Sequence, residues 1–492
     1  MFFLLLHERH LSGYDPANFV LALKYGFSIA QERPHVPGYP GFYLLWKAIE
    51  FVTSLPPHDV ILAANLLFTL TAIWLTYWVA RRLFNERTAR IASVLVLTNP
   101  LLLYYGNTAE LYAYDAAFSA FLVVLLLAPP KRYNSLRYFV FGLLGAFRLS
   151  SVILTLPVVL AVLTYRYYRT RNRRGLVGNL IALCLGILAW LIPYTIHLGG
   201  ITAFIQVVQG AAYLPITVPQ NLFTFCVFMF WMVNVLGIVL LLHAKQLWKK
   251  LREWDEPYIV LILLIVTPAT FFALKYYAKG YGLLYLAPVA LLASHLLARS
   301  RRRTQWVWSA VIVNMLIFFT VPFIVPALRS TLSYSHRTMG ERWETAFLRG
   351  ISAFAPTLAH LRVNEQGMES VVPLLQPLRQ GSYVLVDASA SGWAYPRSLQ
   401  VAYPGLVFLM RYTNDSSVFR WYSAGLTGYN LSLSHIPGSV AFYHLTTSAN
   451  VREIGSPPGS RVSMSAPFEL YAIDRSNFPF LQHQLDSLFI KG

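Results

Sequence analysis

An acidic residue near the start of the chain, Asp15, stands in the run S-G-Y-D-P-A-N-F at 12–19. A carboxylate in such a loop can act as a general base and take a proton from an attacking hydroxyl. An acid directly before Pro16 is equally typical of a helix N-cap followed by proline at the first helical position. The spacing alone leaves both interpretations of Asp15 open.

The run P-H-V-P-G-Y-P follows at 34–40 and contains His35 and Tyr39. Its prolines fix φ and its glycine permits unusual backbone geometry, so the run predicts a rigid turn. The turn either shapes a functional loop or simply starts the next apolar helix.

Two further acids, Glu110 and Asp115, occur in G-N-T-A-E-L-Y-A-Y-D at 106–115, close to Tyr112. Tyrosines at this level usually form an interfacial belt. An ionisable group at membrane depth is costly and indicates a polar cavity or a functional site. We therefore expect Glu110 to be functional, and give Asp115 less weight.

Basic residues are the counterpart of these acids. Arg148 lies in a predicted membrane region, and Lys275 and Lys279 flank the end of another apolar run. A cation at such a position can bind a lipid-linked phosphate whose negative charge grows as it leaves. For the two lysines, extension of the side chain to the membrane surface is an equally good interpretation.

Long apolar runs determine the class of protein that carries these residues. Hydrophobic residues make up 56% of the 492 residues and charged residues 12%, and the mean hydropathy is +0.50. Several apolar runs have roughly 17 to 25 residues, enough for a helix to cross the hydrocarbon core. The sequence therefore predicts a polytopic α-helical membrane protein. Candidate spans lie at 60–80, 88–105, 111–129, 176–196, 221–244, 258–275, 282–298 and 306–328.

The net charge of +19 comes from basic residues clustered in short connectors between apolar runs. This distribution is typical of cytoplasmic loops and does not indicate a nucleic-acid-binding groove. Cys184 and Cys226 lie inside apolar runs, which argues against a disulfide framework and against a thiolate metal site. The basic connectors are 81–90, 131–137, 165–174, 245–252 and 299–303.

The segment 138–165 lies between two basic connectors, so an even number of crossings must separate them. About 28 residues are too few for two full spans at 1.5 Å per residue. We expect a short or broken helical pair that turns near G-L-L-G-A-F-R-L-S-S at 142–151 and places Arg148 deep in the outer half of the protein. One long tilted helix is the alternative. The whole chain then has about 9 to 11 spans.

After about residue 329 the chain becomes richer in Ser, Pro and charge, with short alternating runs that indicate strands. We predict a transmembrane catalytic domain at 1–330 and a small extracytoplasmic α/β domain at 331–492, in a multi-pass protein of the cell membrane. The opening run M-F-F-L-L-L is too short for a span or a signal peptide, so either the start is truncated or the first helix is a stub.

The combination of Asp15, Asn18 and Phe19 with a later H-V-P-G-Y-P resembles the GT-C superfamily of membrane glycosyltransferases. This superfamily includes protein O-mannosyltransferases and aminoarabinose transferases of lipid A. The likeness is to a bacterial branch with a His-Pro-Pro-Gly-Tyr-Pro signature, where this chain has Val36 for the first proline. Many relatives carry a second acid where this chain has Asn18, which argues against a two-carboxylate or metal-bridged site.

The resemblance implies a sugar transferase with inversion, in which Asp15 deprotonates the acceptor hydroxyl. It also implies that Glu110 and His35 shape the pocket and that Arg148 and Lys279 bind the polyprenyl phosphate of the donor. The remaining expected substrate-binding residues are Asn18, Tyr39, Tyr112 and Lys275.

The expected partners are membrane lipid, a polyprenyl-phosphate sugar and an acceptor that is a protein, a glycolipid or a glycan. No nucleic acid and no certain cofactor are expected, and the need for a divalent metal stays open. Two other functions remain open. A transporter or lipid flippase would use the same intramembrane charges along a path, and a non-catalytic scaffold would use the spans only as an anchor.

Overall fold

The computed structural model describes residues 6–11, 13–35, 37–128, 134–210, 218–274, 279–320, 357–386, 396–411, 419–437, 439–448, 451, 456–465, 468–481 and 483. They form two compact units. The first consists mainly of residues 39–320, and the second combines 8–38 with the described residues after 358. The domain boundary predicted at residue 330 lies outside the described residues.

The first unit is helical, as its apolar runs predict. Its helices are α2 (Pro40–Thr53), α3 (Pro57–Leu83), α4 (Glu86–Leu97), α5 (Pro100–Tyr105), α6 (Ala113–Leu127), α7 (Asn134–Leu143), α8 (Leu149–Thr170), α9 (Arg173–His197), α10 (Ile201–Gly210), α11 (Val218–Leu242), α12 (Ala244–Arg252), α13 (Glu256–Leu274), α14 (Leu286–Arg299) and α15 (Arg303–Thr320).

Five helical segments of the described chain are long and apolar enough to cross a membrane, by length and composition. A sixth candidate is the bent pair Met229–Leu242 and Ala244–Arg252, which turns by 70°. The five segments are Pro57–Leu83, Leu149–Thr170, Arg173–His197, Glu256–Leu274 and Gly280–Arg299.

Polar residues interrupt two of the predicted spans. The run 88–105 is broken at Asn99, whose side chain accepts from the backbone N–H groups of Leu101 and Leu102 and so caps α5. The run 221–244 is kinked at Asn234, which has φ 29°. Continuous apolar composition predicted one span in each case and did not reveal these breaks.

The broken helical pair predicted within 138–165 is confirmed. α7 ends at Leu143, a 3-10 turn covers Leu144–Ala146, and α8 begins at Leu149 with Arg148 as its N-cap residue.

Close packing between α7 and α9 holds the first arm of this pair. A Cβ at Gly186 would lie 2.0 Å from the Phe139 carbonyl oxygen, and a Cβ at Gly142 would lie 2.4 Å from that of Leu183. Small residues allow helix backbones to approach this closely in membrane proteins. Trp190 Nε1 then donates a hydrogen bond to the Gly142 carbonyl at 3.0 Å.

The second unit is a mixed α/β fold. A seven-stranded sheet has the order β4-β3-β2-β1-β5-β7-β6, and β1 pairs parallel with β2 and β5 while the other pairs are antiparallel. The strands are β1 (Tyr383–Val386), β2 (Val407–Arg411), β3 (Phe419–Ser423), β4 (Leu426–Leu431), β5 (Phe442–Thr447), β6 (Ser460–Ser465) and β7 (Phe468–Ala472).

Three helices belong to the second unit: α1 (Tyr14–Tyr25), α16 (Leu358–Leu375) and α17 (Pro396–Ala402). The central strand β1 is buried along Val384–Val386, and its alternate residues join two separate hydrophobic clusters. This alternation is expected of a strand with one cluster on each face of the sheet. The segment with Asp15 thus folds with the sheet.

Candidate functional site

A buried ion pair lies at the break between α7 and α8. Arg148 Nη1 donates to Asp115 Oδ2 at 2.5 Å, and Ser151 Oγ donates to Asp115 Oδ1 at 2.7 Å. Arg148 is 5% exposed and Asp115 is 1% exposed. A carboxylate that accepts on both oxygens holds the guanidinium in one orientation. Asp115, to which the sequence analysis gave less weight than Glu110, is therefore the charge partner of Arg148.

Two tyrosine rings cover the same guanidinium. The Arg148 Cζ atom is 4.7 Å from the centre of the Tyr112 ring and 4.5 Å from that of the Tyr281 ring. Aromatic faces stabilise a cation without adding a counter-charge. Gly280 lies directly against Tyr112, where a Cβ would come within 2.5 Å of the Tyr112 Cβ. Glycine at 280 therefore allows the 3-10 turn Lys279–Tyr285 to bring Tyr281 over the arginine.

The other nitrogens of Arg148 keep their hydrogen-bonding capacity. Within the described part of the chain, Nη1 is the guanidinium atom that makes a hydrogen bond, and Nε and Nη2 make none. Guanidinium nitrogens in this planar arrangement match the oxygens of a phosphate group. Tyr39, in the H-V-P-G-Y-P run, lies within electrostatic reach of Arg148. The arrangement is a buried cationic site with donors available to an anion.

An aromatic cluster fixes the break that carries Arg148. The rings of Tyr114 and Phe147 stack with centroids 5.5 Å apart, and the Phe42 ring packs edge-on against each of them at 5.3 Å. The Tyr114 hydroxyl donates to the Leu144 carbonyl at 2.9 Å. Residues from α2 and α6 thus set the position of the arginine.

The connection that carries Glu110 is held by α3. Asn65 Nδ2 donates to the carbonyls of Thr108 and Glu110 at 2.7 Å and 2.6 Å. Asn65 is buried, and a buried amide with both donors satisfied holds the main chain of the connection in place. The same connection supplies Tyr112, so its backbone position bears on the Arg148 site.

Asp15 and His35 come together in the second unit. The N-cap of α1 is Gly13, and Asp15 is the second residue of the helix, so the N-cap interpretation of Asp15 is wrong. Asp15 Oδ1 is 3.5 Å from His35 Nδ1, and the two side chains are 31% and 20% exposed. The Phe19 ring lies 5.4 Å from the imidazole. A partly accessible carboxylate therefore stands beside a histidine.

Asn18 occupies the same helix as Asp15 but is fully buried. Its Oδ1 accepts a hydrogen bond from Arg397 Nε at 2.6 Å. Asn18 therefore connects the helix of Asp15 to α17.

The structure gives no side-chain positions for the two predicted lysines. Lys275 and the side chain of Lys279 lie outside the described residues. Where the structure does describe the chain, no three His, Cys, Asp or Glu side chains form a group suited to a metal ion.

Sequence reasoning missed several residues of these groups, among them Tyr281, Ser151, Asn65 and Arg397. Ser151 follows Arg148 by three positions, so helical spacing in α8 could have connected them. Asn65 and Arg397 act on residues far away in the chain, and no local pattern announces either contact.

Comparisons with known proteins bear on the fold. No protein-family model matches the sequence, and no protein of curated function matches it. The crystal structure of ArnT from Cupriavidus metallidurans in the apo state is similar at a TM-score of 0.63 and 13% identity, over 96% of this chain and 96% of that chain. The structure of the same protein bound to undecaprenyl phosphate gives 0.61 and 13%, over 96% and 95%. The likeness shows the fold alone, and together with the apolar helices and the C-terminal sheet it confirms the predicted fold class, a multi-pass α-helical membrane protein of GT-C-like fold with an α/β part.

Proposed function

We propose that this protein is a glycosyltransferase that moves a sugar from a polyprenyl-phosphate donor to a hydroxyl-bearing acceptor, with inversion at the anomeric carbon. The acceptor is a protein, a glycolipid or a glycan on the extracytoplasmic side. The positive-inside distribution of the basic connectors supports this side for the second unit.

The observation that carries the proposal is the Arg148 site. A buried guanidinium at the break of a membrane helix has two nitrogens that make no hydrogen bond among the residues that the structure describes, and such a charge in a membrane protein suggests a functional site. The fold is shared over almost the full length with ArnT, which has been crystallised with undecaprenyl phosphate. An anionic lipid headgroup is a ligand of the matching chemistry.

In the proposed reaction, the acceptor oxygen attacks C1 of the sugar while the bond between C1 and the phosphate oxygen breaks. The electron pair of that bond leaves with the lipid phosphate, which gains negative charge. Arg148 stabilises this charge through Nε and Nη2, and Asp115 keeps the guanidinium oriented. The tyrosine rings shield the arginine from water and strengthen its interaction with the phosphate.

The proton of the acceptor hydroxyl passes to the Asp15 carboxylate, which acts as the general base. Its partial exposure leaves room for an acceptor, and His35 at 3.5 Å limits the orientations of the carboxylate. Glu110, Tyr39, Tyr112, Lys275 and Lys279 are proposed to bind the substrates. Asn18 is proposed to act through its bond to Arg397.

The test of Asp15 replaces it with asparagine, which keeps the size of the side chain but cannot take the proton. We expect Asp15→Asn to lower sugar transfer by roughly 10²- to 10⁴-fold, the usual contribution of general-base catalysis. Envelope glycans of a deletion strain that carries each variant report the transfer. Asp59→Asn is the matched control, because Asp59 also lies in the first turn of a helix that begins near proline.

Wild-type glycans with Asp15→Asn would remove Asp15 from the mechanism. Loss of transfer in Asp59→Asn as well would show that transfer responds to any acid-to-amide change in the first turn of a helix, and is not specific to Asp15.

The phosphate role of Arg148 is tested by the binding of undecaprenyl phosphate to the purified full-length protein. We expect Arg148→Gln to weaken this binding at least tenfold, because the charged donors to the phosphate are lost. Arg166→Gln is the control, since Arg166 also pairs with a carboxylate, that of Glu256. Unchanged lipid binding in Arg148→Gln would reject the phosphate role.

A further inference from the structure

The helix that carries Asp15 is bound by a buried arginine of α17. Arg397 is fully buried and donates from Nε to Asn18 Oδ1 at 2.6 Å and from Nη2 to the Gln31 carbonyl at 2.6 Å. Its Nη1 donates to Gln400 Oε1 at 2.8 Å and to the Leu426 carbonyl at 3.3 Å. One guanidinium therefore connects both α1 and the turn that follows it to α17 and β4.

A second arginine, Arg420 of β3, binds the same segment at two other points. Its Nη2 donates to the Tyr14 hydroxyl at 2.7 Å and also to Glu32 Oε2. The guanidinium lies over the Tyr14 ring, with Cζ 5.4 Å from the ring centre. Tyr14 directly precedes Asp15, and Glu32 lies three residues before His35. Arg420 thus contacts the segment close to each member of the Asp15 and His35 pair.

Smaller contacts follow the same path. Ser398 Oγ donates to the Gly13 carbonyl at 3.2 Å, and the Thr427 N–H donates to Gln31 Oε1 at 2.8 Å. Gly425 has φ +81°, and a Cβ there would lie 2.5 Å from the Tyr25 ring. Residues of the C-terminal α/β part therefore contact the start of α1, the end of α1 and the turn that follows it.

Burial of two guanidinium groups costs desolvation free energy, and the hydrogen bonds offset this cost only when their partners are in place. Asn18 and the Gln31 carbonyl supply two of the four oxygen partners of Arg397. Tyr14 and Glu32 accept from Arg420, which also donates to Thr427 Oγ1 at 3.4 Å. A core of apolar side chains would stabilise the sheet equally well without specifying where α1 lies. The two arginines therefore fix the orientation of α1 against the sheet, in addition to stabilising the fold.

We propose that Arg397 and Arg420 are positioning residues that hold Asp15 and His35 in their working geometry, so that the C-terminal α/β part serves as the frame of the catalytic loop. The proposal rests on the proposed function for its catalytic consequence, and assigns a role to a part of the chain for which the sequence offered no motif.

The test uses full-length protein and three measurements on each variant. Amide hydrogen exchange reports the order of α1, binding of undecaprenyl phosphate reports the first unit, and envelope glycans in a deletion strain report transfer. The variants are Arg397→Gln, Arg420→Gln and Glu32→Gln, the last of which breaks the contact from the side of the loop. Arg461→Gln is the matched control, because Arg461 lies on edge strand β6 and pairs with Glu469 of the sheet.

We expect the amides of α1 to exchange at least tenfold faster in Arg420→Gln and Glu32→Gln, with the sheet amides unchanged. Sugar transfer should fall at least tenfold while undecaprenyl phosphate binding stays within twofold of wild type. Arg420→Lys keeps a cation opposite Glu32 and should recover part of both losses. Arg461→Gln should match wild type in all three measurements.

Unchanged exchange in α1, or faster exchange with unchanged transfer, would overturn the proposal. Loss of protection throughout the sheet in all three variants would also overturn it, because the arginines would then serve general stability. If Arg397→Gln does not fold, the other two variants decide. Asp15→Asn separates this test from that of the function: if it is fully active the catalytic assignment fails, while the exchange data still report the frame.

Discussion

Two buried arginines, Arg148 in the first unit and Arg397 in the second unit, differ in how many of their nitrogens make hydrogen bonds within the protein. Arg148 has one carboxylate, Asp115, and two aromatic faces, and leaves Nε and Nη2 without a hydrogen bond in the described part of the chain. Arg397 lies over one ring, that of Tyr422, with Cζ 5.5 Å from the ring centre, and donates from all three nitrogens to neutral oxygens. The first arrangement leaves donors available for a ligand, and the second uses its donors within the protein.

The electrostatics of the two sites differ accordingly. Burial lowers the pKa of Arg397 to about 10, so this guanidinium is still charged at neutral pH and depends on its four oxygen partners. Arg148 has a neighbouring carboxylate that balances its charge, and the phosphate that we propose as its ligand would add a second anion. Burial alone therefore does not distinguish the arginine that we propose to bind a phosphate from the one that we propose to position α1. The distinguishing feature is that two nitrogens of Arg148 make no hydrogen bond in the described part of the chain.

The largest effect is expected when each arginine is truncated. Arg148→Ala leaves the Asp115 carboxylate buried without its cation, which typically costs about 3–5 kcal/mol of the free energy of unfolding. A second change, Asp115→Asn, removes that charge and should restore most of the loss. Thermal unfolding of the purified protein measures both.

Arg397 is the contrasting case in the same experiment. Arg397→Ala should also destabilise strongly, but no single second change can rescue it, because its partners are four separate oxygens. Two results would contradict this difference between the arginines: rescue of Arg397→Ala by Asn18→Ala, or failure of Asp115→Asn to rescue Arg148→Ala.

The sequence predicted the elements far better than the contacts. Apolar run length located the main spans, and counting residues between basic connectors located the break before Arg148. The kink at Asn234 was not predictable in this way, because the apolar run continues through it. Asp115 and Arg148 are 33 residues apart, and Asn18 and Arg397 are 379 apart. Contacts at such separations depend on tertiary packing, which no local pattern encodes.

An intermediate effect is expected when lysine replaces each arginine. Arg148→Lys keeps a cation beside Asp115, so the fold should be retained and undecaprenyl phosphate binding should weaken by about tenfold through loss of the planar pair of donors. Arg397→Lys has three donors for four oxygens on different elements and should lose about 1.5–3 kcal/mol of the free energy of unfolding. Equal loss of stability in Arg148→Lys and Arg397→Lys would show that stability at both positions depends on the positive charge alone and not on the number of hydrogen-bond donors.

The smallest effect is expected at the ring of Tyr281. Tyr281→Leu removes one aromatic face from Arg148 but leaves the bond to Asp115, so undecaprenyl phosphate binding should weaken by only about 0.5–1 kcal/mol, or roughly two- to fivefold. Tyr281→Phe keeps the ring and should bind as wild type does, which separates the aromatic face from the hydroxyl. If Tyr281→Phe weakened binding as much as Tyr281→Leu, we would infer that the Tyr281 hydroxyl contacts the phosphate. Donors to the ligand would then come from a residue beside Arg148 as well as from Arg148 itself, which would sharpen the contrast with Arg397.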